Sequence, residues 1–101
     1  MNIQKLMKQA QEAQAKMEKV QQELAAESFE ASAGGGMVKV VMTGDQTVQS
    51  VKIDPAALDP EDIELLEDMI VAALNEASRI ASEKASAKMQ AVTGGLNIPG
   101  M

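Results

Sequence analysis

The sequence predicts an α+β fold, with a long N-terminal helix, a three-stranded antiparallel sheet and a long C-terminal helix following one another along 101 residues. Two observations predict the helices, because apolar residues recur at heptad spacing over residues 3–24 and again over residues 63–80. The third observation is the alternation of apolar and polar residues between positions 37 and 53, which is typical of a β-hairpin. The chain is short enough for one domain, expected over residues 1–93, and residues 94–101 are expected to form a flexible tail.

The first predicted helix carries a narrow apolar seam. Its members alternate at spacings of three and four residues, and they are Ile3, Leu6, Ala10, Ala13, Met17, Val20 and Leu24. This 3.5-residue repeat is the pattern of a coiled coil, and no Gly or Pro interrupts the helix expected over about residues 2–27. The seam is expected to pack against a helix of the same chain or of a second copy. The alternative is that it only covers the core of its own chain.

The middle of the chain predicts three strands. Residues 28–33 alternate apolar and polar side chains and form the first. The hairpin follows, and a two-residue turn at Gly44 and Asp45 predicts its register. In that register the opposed pairs are Val41 with Val48 and Val38 with Val51.

The two faces of this hairpin differ in character. Strand side chains alternate between faces, so one face collects most of the apolar residues and the other carries Lys39 and Lys52. The glycines at positions 34–36 are expected to connect two strands. A phosphate cradle is the less favoured interpretation, because a strand follows these glycines and no Lys-Ser or Lys-Thr pair does.

The second helix is predicted to begin at Asp59 as N-cap, with Pro60 in its first turn, and to end near Val92, where Gly94 and Gly95 follow. Residues 69–74 are apolar on all sides, so this segment needs to be covered on more than one side. The acidic residues at the start of the helix are interpreted as helix capping and not as a metal site, because no His or further ligand set accompanies them.

The composition excludes several kinds of chemistry. The chain contains no Cys and no His, which removes disulfides, thiolate nucleophiles, zinc fingers and histidine bases. We expect no enzymatic activity, no metal and no cofactor, since nearly every charged residue falls on a predicted helix face or cap that solvent reaches. No apolar run is long enough for a membrane span and the N-terminus lacks the apolar core of a signal peptide, so a cytoplasmic location is expected.

The charge is unevenly distributed along the chain. The formal net charge is −6, but residues 1–17 carry +2, residues 79–101 carry +2 and the stretch between them carries −10. If the two helices lie side by side and antiparallel, Lys5 and Lys8 come near Lys84 and Lys88 at the tip of a projecting arm. The six basic candidates for contacts with a polyanion are Lys5, Lys8, Lys16, Arg79, Lys84 and Lys88. The alternative is that they are ordinary solvated residues with partners one helical turn away.

Four segments in order resemble a known family. They are Leu6-Met-Lys-Gln-Ala-Gln, then Gly36-Met-Val-Lys-Val with Gly44 and Val51-Lys-Ile-Asp-Pro55, then Leu66-Glu-Asp-Met-Ile-Val-Ala-Ala-Leu-Asn-Glu-Ala77, and a tail rich in Gly that contains Pro. Together they resemble the YbaB/EbfC family of bacterial nucleoid-associated proteins, and the match covers nearly the whole chain.

This resemblance implies a tweezer-like homodimer whose sheets associate and whose helices form arms. It further implies binding of double-stranded DNA with little sequence preference, on the nucleoid, and no enzymatic activity, membrane partner or small-molecule substrate. In this family, DNA contact is attributed to the helical arms, and the six basic candidates of this chain lie on the predicted arms. The alternative function is a protein-interaction or assembly module that uses the heptad seam.

Overall fold

The computed structural model describes residues 2–95. It contains helix α1 (Ile3–Ala26), strands β1 (Ser28–Ala33), β2 (Val38–Thr43) and β3 (Val48–Ile53), a 3₁₀ turn (Pro55–Ala57) and helix α2 (Ile63–Gly95). The predicted fold class is therefore confirmed, with two long helices and a three-stranded antiparallel sheet between them. Most of the predicted tail lies outside the described residues.

The two helices begin at polar caps. The Asn2 side chain accepts a hydrogen bond from the Lys5 backbone N–H (3.3 Å) at the start of α1. At α2 the predicted start was wrong, because Asp59 accepts from the Glu61 N–H (2.9 Å) in a separate turn. Asp62 instead accepts from the Leu65 N–H (3.2 Å), so it caps the helix. The helix also runs through Gly95, past the predicted end, and its 33 residues correspond to about 50 Å.

The hairpin register differs from the predicted one by two residues. Val38 lies opposite Ile53 and Val40 lies opposite Val51, so the predicted pairing was wrong. The loop has three residues and not two, since the Gln46 N–H donates to the Thr43 carbonyl (2.9 Å) and Gln46 has a φ of 65°. A further irregularity follows between Val41 and Met42. Because the total shift is even, Val51, Lys52 and Ile53 keep their predicted faces. Val48 does not, because it lies opposite Met42 on the apolar face and not opposite Val41 on the lysine face.

Helix α2 covers β1 and β2 and leaves β3 open. The core consists of Ala31, Val38, Val40, Met42, Ala57, Leu66, Ala73, Ala77 and Ala81. Three of the four α2 members of this core are alanines, which let the helix lie close to the sheet. Val48, Val51 and Ile53 of β3 stay 44%, 42% and 38% exposed. The sheet therefore has one covered side and one open apolar edge.

Within residues 2–95, helix α1 is attached to the rest of the chain only near its C-terminal end. Val20 and Leu24 are its two buried residues. The Gly44 N–H, in the loop between β2 and β3, donates to the carbonyls of Leu24 (2.9 Å) and Glu27 (3.1 Å). The remainder of α1 projects from the sheet, which gives principal extents of 70 × 24 × 16 Å. The radius of gyration of 19.7 Å exceeds the roughly 13 Å of a compact domain of this size.

Candidate nucleic-acid interface

Helix α1 presents a stripe of lysines on its free surface. Lys5, Lys8 and Lys16 are exposed, and none of them forms an ion pair among the described residues. Residues spaced by three or four positions share one face of a helix, so these lysines line up along α1 with Glu12 between Lys8 and Lys16. A phosphate backbone lying along this face would meet several ammonium groups in succession.

Lys19 continues this stripe and was not among the predicted candidates. It follows Lys16 by three residues and is also exposed. The sequence-based division of charge ended at residue 17 and assigned Lys19 to the acidic middle of the chain. The periodicity Lys5, Lys8, Glu12, Lys16, Lys19 was the signal that could have found it. We call Lys5, Lys8, Lys16 and Lys19 the lysine stripe.

The apolar seam of α1 is buried only at its inner end. Leu24 and Val20 are buried and Met17 and Ala13 are intermediate, whereas every residue from Asn2 to Glu12 is exposed. Ile3 and Leu6 are 68% and 49% exposed. The outer half of the seam therefore lacks a helix partner within the described part of the chain.

Arg79 is held by acids on its own helix. Its Nη2 lies 2.6 Å from Glu76 Oε1 and its Nη1 lies 2.7 Å from Glu83 Oε1. The side-chain hydrogen bond with Glu76, and the charges of both glutamates, raise the pKa of Arg79. The same hydrogen bond lowers the pKa of the Glu76 carboxyl. The guanidinium thus already has two anionic neighbours, and a phosphate would have to compete with both.

Lys88 connects α2 to the inner end of α1. Its Nζ lies 2.6 Å from Glu27 Oε1 and 3.2 Å from Glu23 Oε2. The hydrogen bond to Glu27, and then the one to Glu23, raise the pKa of Lys88. Because Glu23 lies 18 residues from Lys5 along α1, about 27 Å of helix separates this contact from the tip.

The expected meeting of Lys5 and Lys8 with Lys84 and Lys88 is therefore not found. Lys84 is exposed and lies one helical turn before Lys88, so it is also near the inner end of α1. Among residues 2–95, helix α1 forms the tip alone. The basic residues at the two ends of the chain consequently divide into the exposed lysine stripe, the exposed Lys84 and two cations held by glutamates.

Neither a metal-binding cluster nor a membrane-spanning helix is found within residues 2–95. Within them no group of three or more acidic side chains is arranged to hold a metal ion. Asp59 and Asp62, in the acidic segment before α2, each accept a backbone N–H. No helix in the described range has the length and hydropathy that crossing a membrane requires.

The family of the chain follows from its sequence relatives. The model of the YbaB/EbfC DNA-binding family matches residues 1–96. The chain belongs to this family. A nucleoid-associated protein of Clostridium novyi is 50% identical over 101 residues, which cover 100% of this chain and 89% of the relative. Another from Syntrophobacter fumaroxidans is 54% identical over 95 residues, 94% of this chain and 86% of the relative.

A solved structure shares the fold. The crystal structure of the uncharacterized protein HP0035 from Helicobacter pylori matches with a TM-score of 0.78, covering 86% of this chain and 91% of that one. At 22% identity this likeness shows the fold alone. Membership of the YbaB/EbfC family confirms the predicted resemblance, and with it the prediction that the chain belongs to DNA-binding proteins and not to enzymes.

Proposed function

We propose that two copies of this chain form a homodimer that binds double-stranded DNA on the bacterial nucleoid, in the cytoplasm, with little preference for sequence. The observation that carries this proposal is the lysine stripe, exposed along a projecting helix in a chain of a DNA-binding family. The relatives described above are named nucleoid-associated proteins, which supports the same location for this one.

The chemistry of the stripe favours phosphate contact over base reading. Lysine is a compact point charge on a flexible stem, which suits phosphate oxygens but discriminates poorly between bases. The one arginine, whose planar fork could read a guanine edge, is held by Glu76 and Glu83. The chain contains no Trp or Tyr, and its one aromatic residue, Phe29, packs against the core, so no aromatic side chain on the arm is available to stack on unpaired bases. These features support duplex binding with low sequence preference.

The six predicted basic residues then take two different roles. Lys5, Lys8, Lys16 and Lys84 contact phosphates, and Lys19 joins them. Lys88 and Arg79 position the helices, Lys88 by joining α2 to the inner end of α1. The acidic remainder of the chain restricts DNA contact to the cationic surfaces.

An open apolar surface over β3 supports the homodimer. Val48, Val51 and Ile53 lie on the side of the sheet that α2 covers elsewhere. Gln46, in the loop before β3, donates to the Ser78 hydroxyl (3.1 Å), so this side of α2 faces β3. Val71 lies two turns before Ser78 on the same side and is 56% exposed. We call Val48, Val51, Ile53 and Val71 the β3 surface, and a second copy seated there would bury it.

Titration of duplex DNA at several salt concentrations tests the proposal. If the four stripe lysines of both copies contact phosphates, the slope of log K against log salt is about −7. Replacing Lys5, Lys8 and Lys16 together by Gln should flatten that slope and weaken binding. A wild-type protein that shows no salt-dependent affinity for duplex DNA would contradict the proposal.

Replacing Glu12 tests the lysine stripe in the opposite direction, toward tighter DNA binding. It interrupts the lysine stripe, so Glu12→Gln should strengthen DNA binding by removing repulsion between a carboxylate and phosphate. Glu18→Gln, also exposed on α1 but outside the stripe, makes the same change in net charge and should have less effect. Equal effects of the two variants would mean that net charge alone governs binding, which contradicts a specific role of the stripe.

The exposed outer seam favours a second function, the docking of a partner protein on α1. Ile3 and Leu6 lie on a different face from the lysine stripe. Replacing both by Ser should leave DNA affinity unchanged if the lysines alone hold the duplex. Loss of a protein partner in the same variant, with DNA binding intact, would support the interaction function.

A further inference from the structure

Two lysines lie opposite each other on the face of the sheet turned away from α2. Lys39 of β2 pairs in register with Lys52 of β3. Both are exposed, and within residues 2–95 neither belongs to an ion pair. Like charges directly opposite each other destabilise a sheet, because their side chains start only about 5 Å apart. An anion bound between the two ammonium groups would reverse this effect.

A shallow hollow adjoins this pair. Its volume is about 240 Å³, several times the roughly 30 Å³ that a water molecule occupies, which leaves room for a phosphate group. Its lining consists of Gly36, Met37, Lys39, Lys52, Ile53, Asp54 and Pro55. A Cβ on Gly36 would lie 3.9 Å from Lys39 Cε, so the lysine stem runs beside the glycine turn.

One carboxylate also lines the hollow. Asp54 Oδ1 accepts a hydrogen bond from the Ala56 backbone N–H (2.9 Å), which holds it in the turn after β3. With two lysines and one aspartate the hollow has a net charge of +1. Ser32 of β1 lies next to Lys39 in the sheet and adds an exposed hydroxyl donor on the same face.

We infer that this hollow is a second DNA contact, in which Lys39 and Lys52 hold one backbone phosphate of a duplex that the lysine stripe also binds. The inference rests on the proposed function and adds a surface to it. Helix α1 projects from the opposite end of the strands, so the two contacts lie toward the two ends of a 70 Å molecule. About 20 base pairs of duplex would span that length.

The experiment measures the affinity of the full chain for a duplex of about 30 base pairs at about 0.1 M salt, long enough to reach both contacts. Lys39→Gln and Lys52→Gln, made singly, should each raise Kd several-fold, up to the roughly tenfold expected for one lost phosphate contact. Gln90→Glu is the matched control, because it changes the charge equally at an exposed position of α2 away from the β3 surface. Its Kd should change less than twofold.

Asp54→Asn tests the same site in the opposite direction. Asparagine still accepts the Ala56 N–H, so the turn remains capped while repulsion of the phosphate is removed. Kd should fall, and more than in Glu18→Gln, an exposed α1 variant outside the lysine stripe with the same charge change. Because both directions are tested, a variant that merely unfolds cannot imitate the expected pattern.

The outcomes separate this inference from the proposed function. If the wild type binds DNA and the stripe variants weaken it, while the Lys39, Lys52 and Asp54 variants match their controls, the second contact is wrong and DNA binding stands. If Lys52→Gln only promotes aggregation without changing Kd, the lysine protects an edge strand and the second contact is again wrong. Absence of DNA binding by the wild type overturns both.

Discussion

At the scale of single residues, neighbours decide what each basic side chain can do. Lys16 and Lys88 are both helix lysines, but only Lys88 has carboxylates within 3.2 Å. The hydrogen bonds that raise the pKa of Lys88 also occupy its ammonium group. Its contacts come from glutamates more than 60 residues earlier in the chain, so no local pattern could have predicted them. The partners of Arg79, three residues before and four after it, could have been predicted from helix spacing alone.

The glycine turn between β1 and β2 offers a residue-scale prediction. Gly34 and Gly35 have φ values of +64° and +67°, so an alanine at either position is strained by about 1 kcal/mol. A Cβ at Gly34 would also clash with Met69 Sδ, whereas a Cβ at Gly35 would meet nothing within 4 Å. We expect Gly34→Ala to lower the free energy of unfolding by about 1 kcal/mol more than Gly35→Ala, because the flexible Met69 side chain must leave its rotamer.

Urea unfolding of the two variants measures this difference. A double-mutant cycle with Met69→Ala identifies its cause, because removing the Met69 side chain should abolish the additional loss in Gly34→Ala. Equal losses in Gly34→Ala and Gly35→Ala would show that the Met69 side chain moves aside without cost.

At the scale of elements, the long periodic segments were predictable, but the turns and helix starts that connect them were not. The seam and its helix formers predicted α1 to within one residue at each end. The hairpin was predicted, but its register depended on whether Gln46 could adopt a positive φ, which residue preferences disfavour outside Gly, Asn and Asp. The start of α2 was ambiguous because Asp59 and Asp62 are both good caps, and the chain uses them in succession.

The contact between the inner end of α1 and the loop between β2 and β3 gives a prediction at this scale. A Cβ on Gly44 would lie 2.7 Å from the Leu24 carbonyl oxygen, which is backbone and cannot rotate away. Gly44→Ala should therefore loosen the inner end of α1 and lower the free energy of unfolding by about 1–3 kcal/mol. In this variant the amide hydrogen of residue 44 should exchange faster, because its hydrogen bonds to the Leu24 and Glu27 carbonyls are weakened. Unchanged exchange there would contradict this account of how the arm is held.

At the scale of the whole molecule, the elongated shape was predictable and the arrangement of charge was not. A helix of about 50 Å exceeds the length of a small sheet, so projection follows from the number of residues alone. Which cations stay free depends on where the two helices touch. The predicted antiparallel pair placed that contact at the tips, whereas Lys88 places it at the inner end of α1. The candidate site consequently moved from the paired tips to one face of α1.

The β3 surface carries the prediction for the assembly. Val51 is 42% exposed and lies opposite the buried Val40, so one chain should still fold with Lys at this position. A second chain packed on the β3 surface would bury the lysine without a partner charge, which is unfavourable. Ser50→Lys is the matched control, because it adds the same charge at the adjacent position of β3 on the opposite face. We expect light scattering to give the mass of a dimer for the wild type and for Ser50→Lys, and that of a monomer for Val51→Lys. A dimer in all three would mean that the copies meet elsewhere, and the outer seam of α1 would then be the surface to test.

Because a dimer doubles the number of stripe lysines on one duplex, loss of the dimer in Val51→Lys should also reduce the salt dependence of DNA binding by about half.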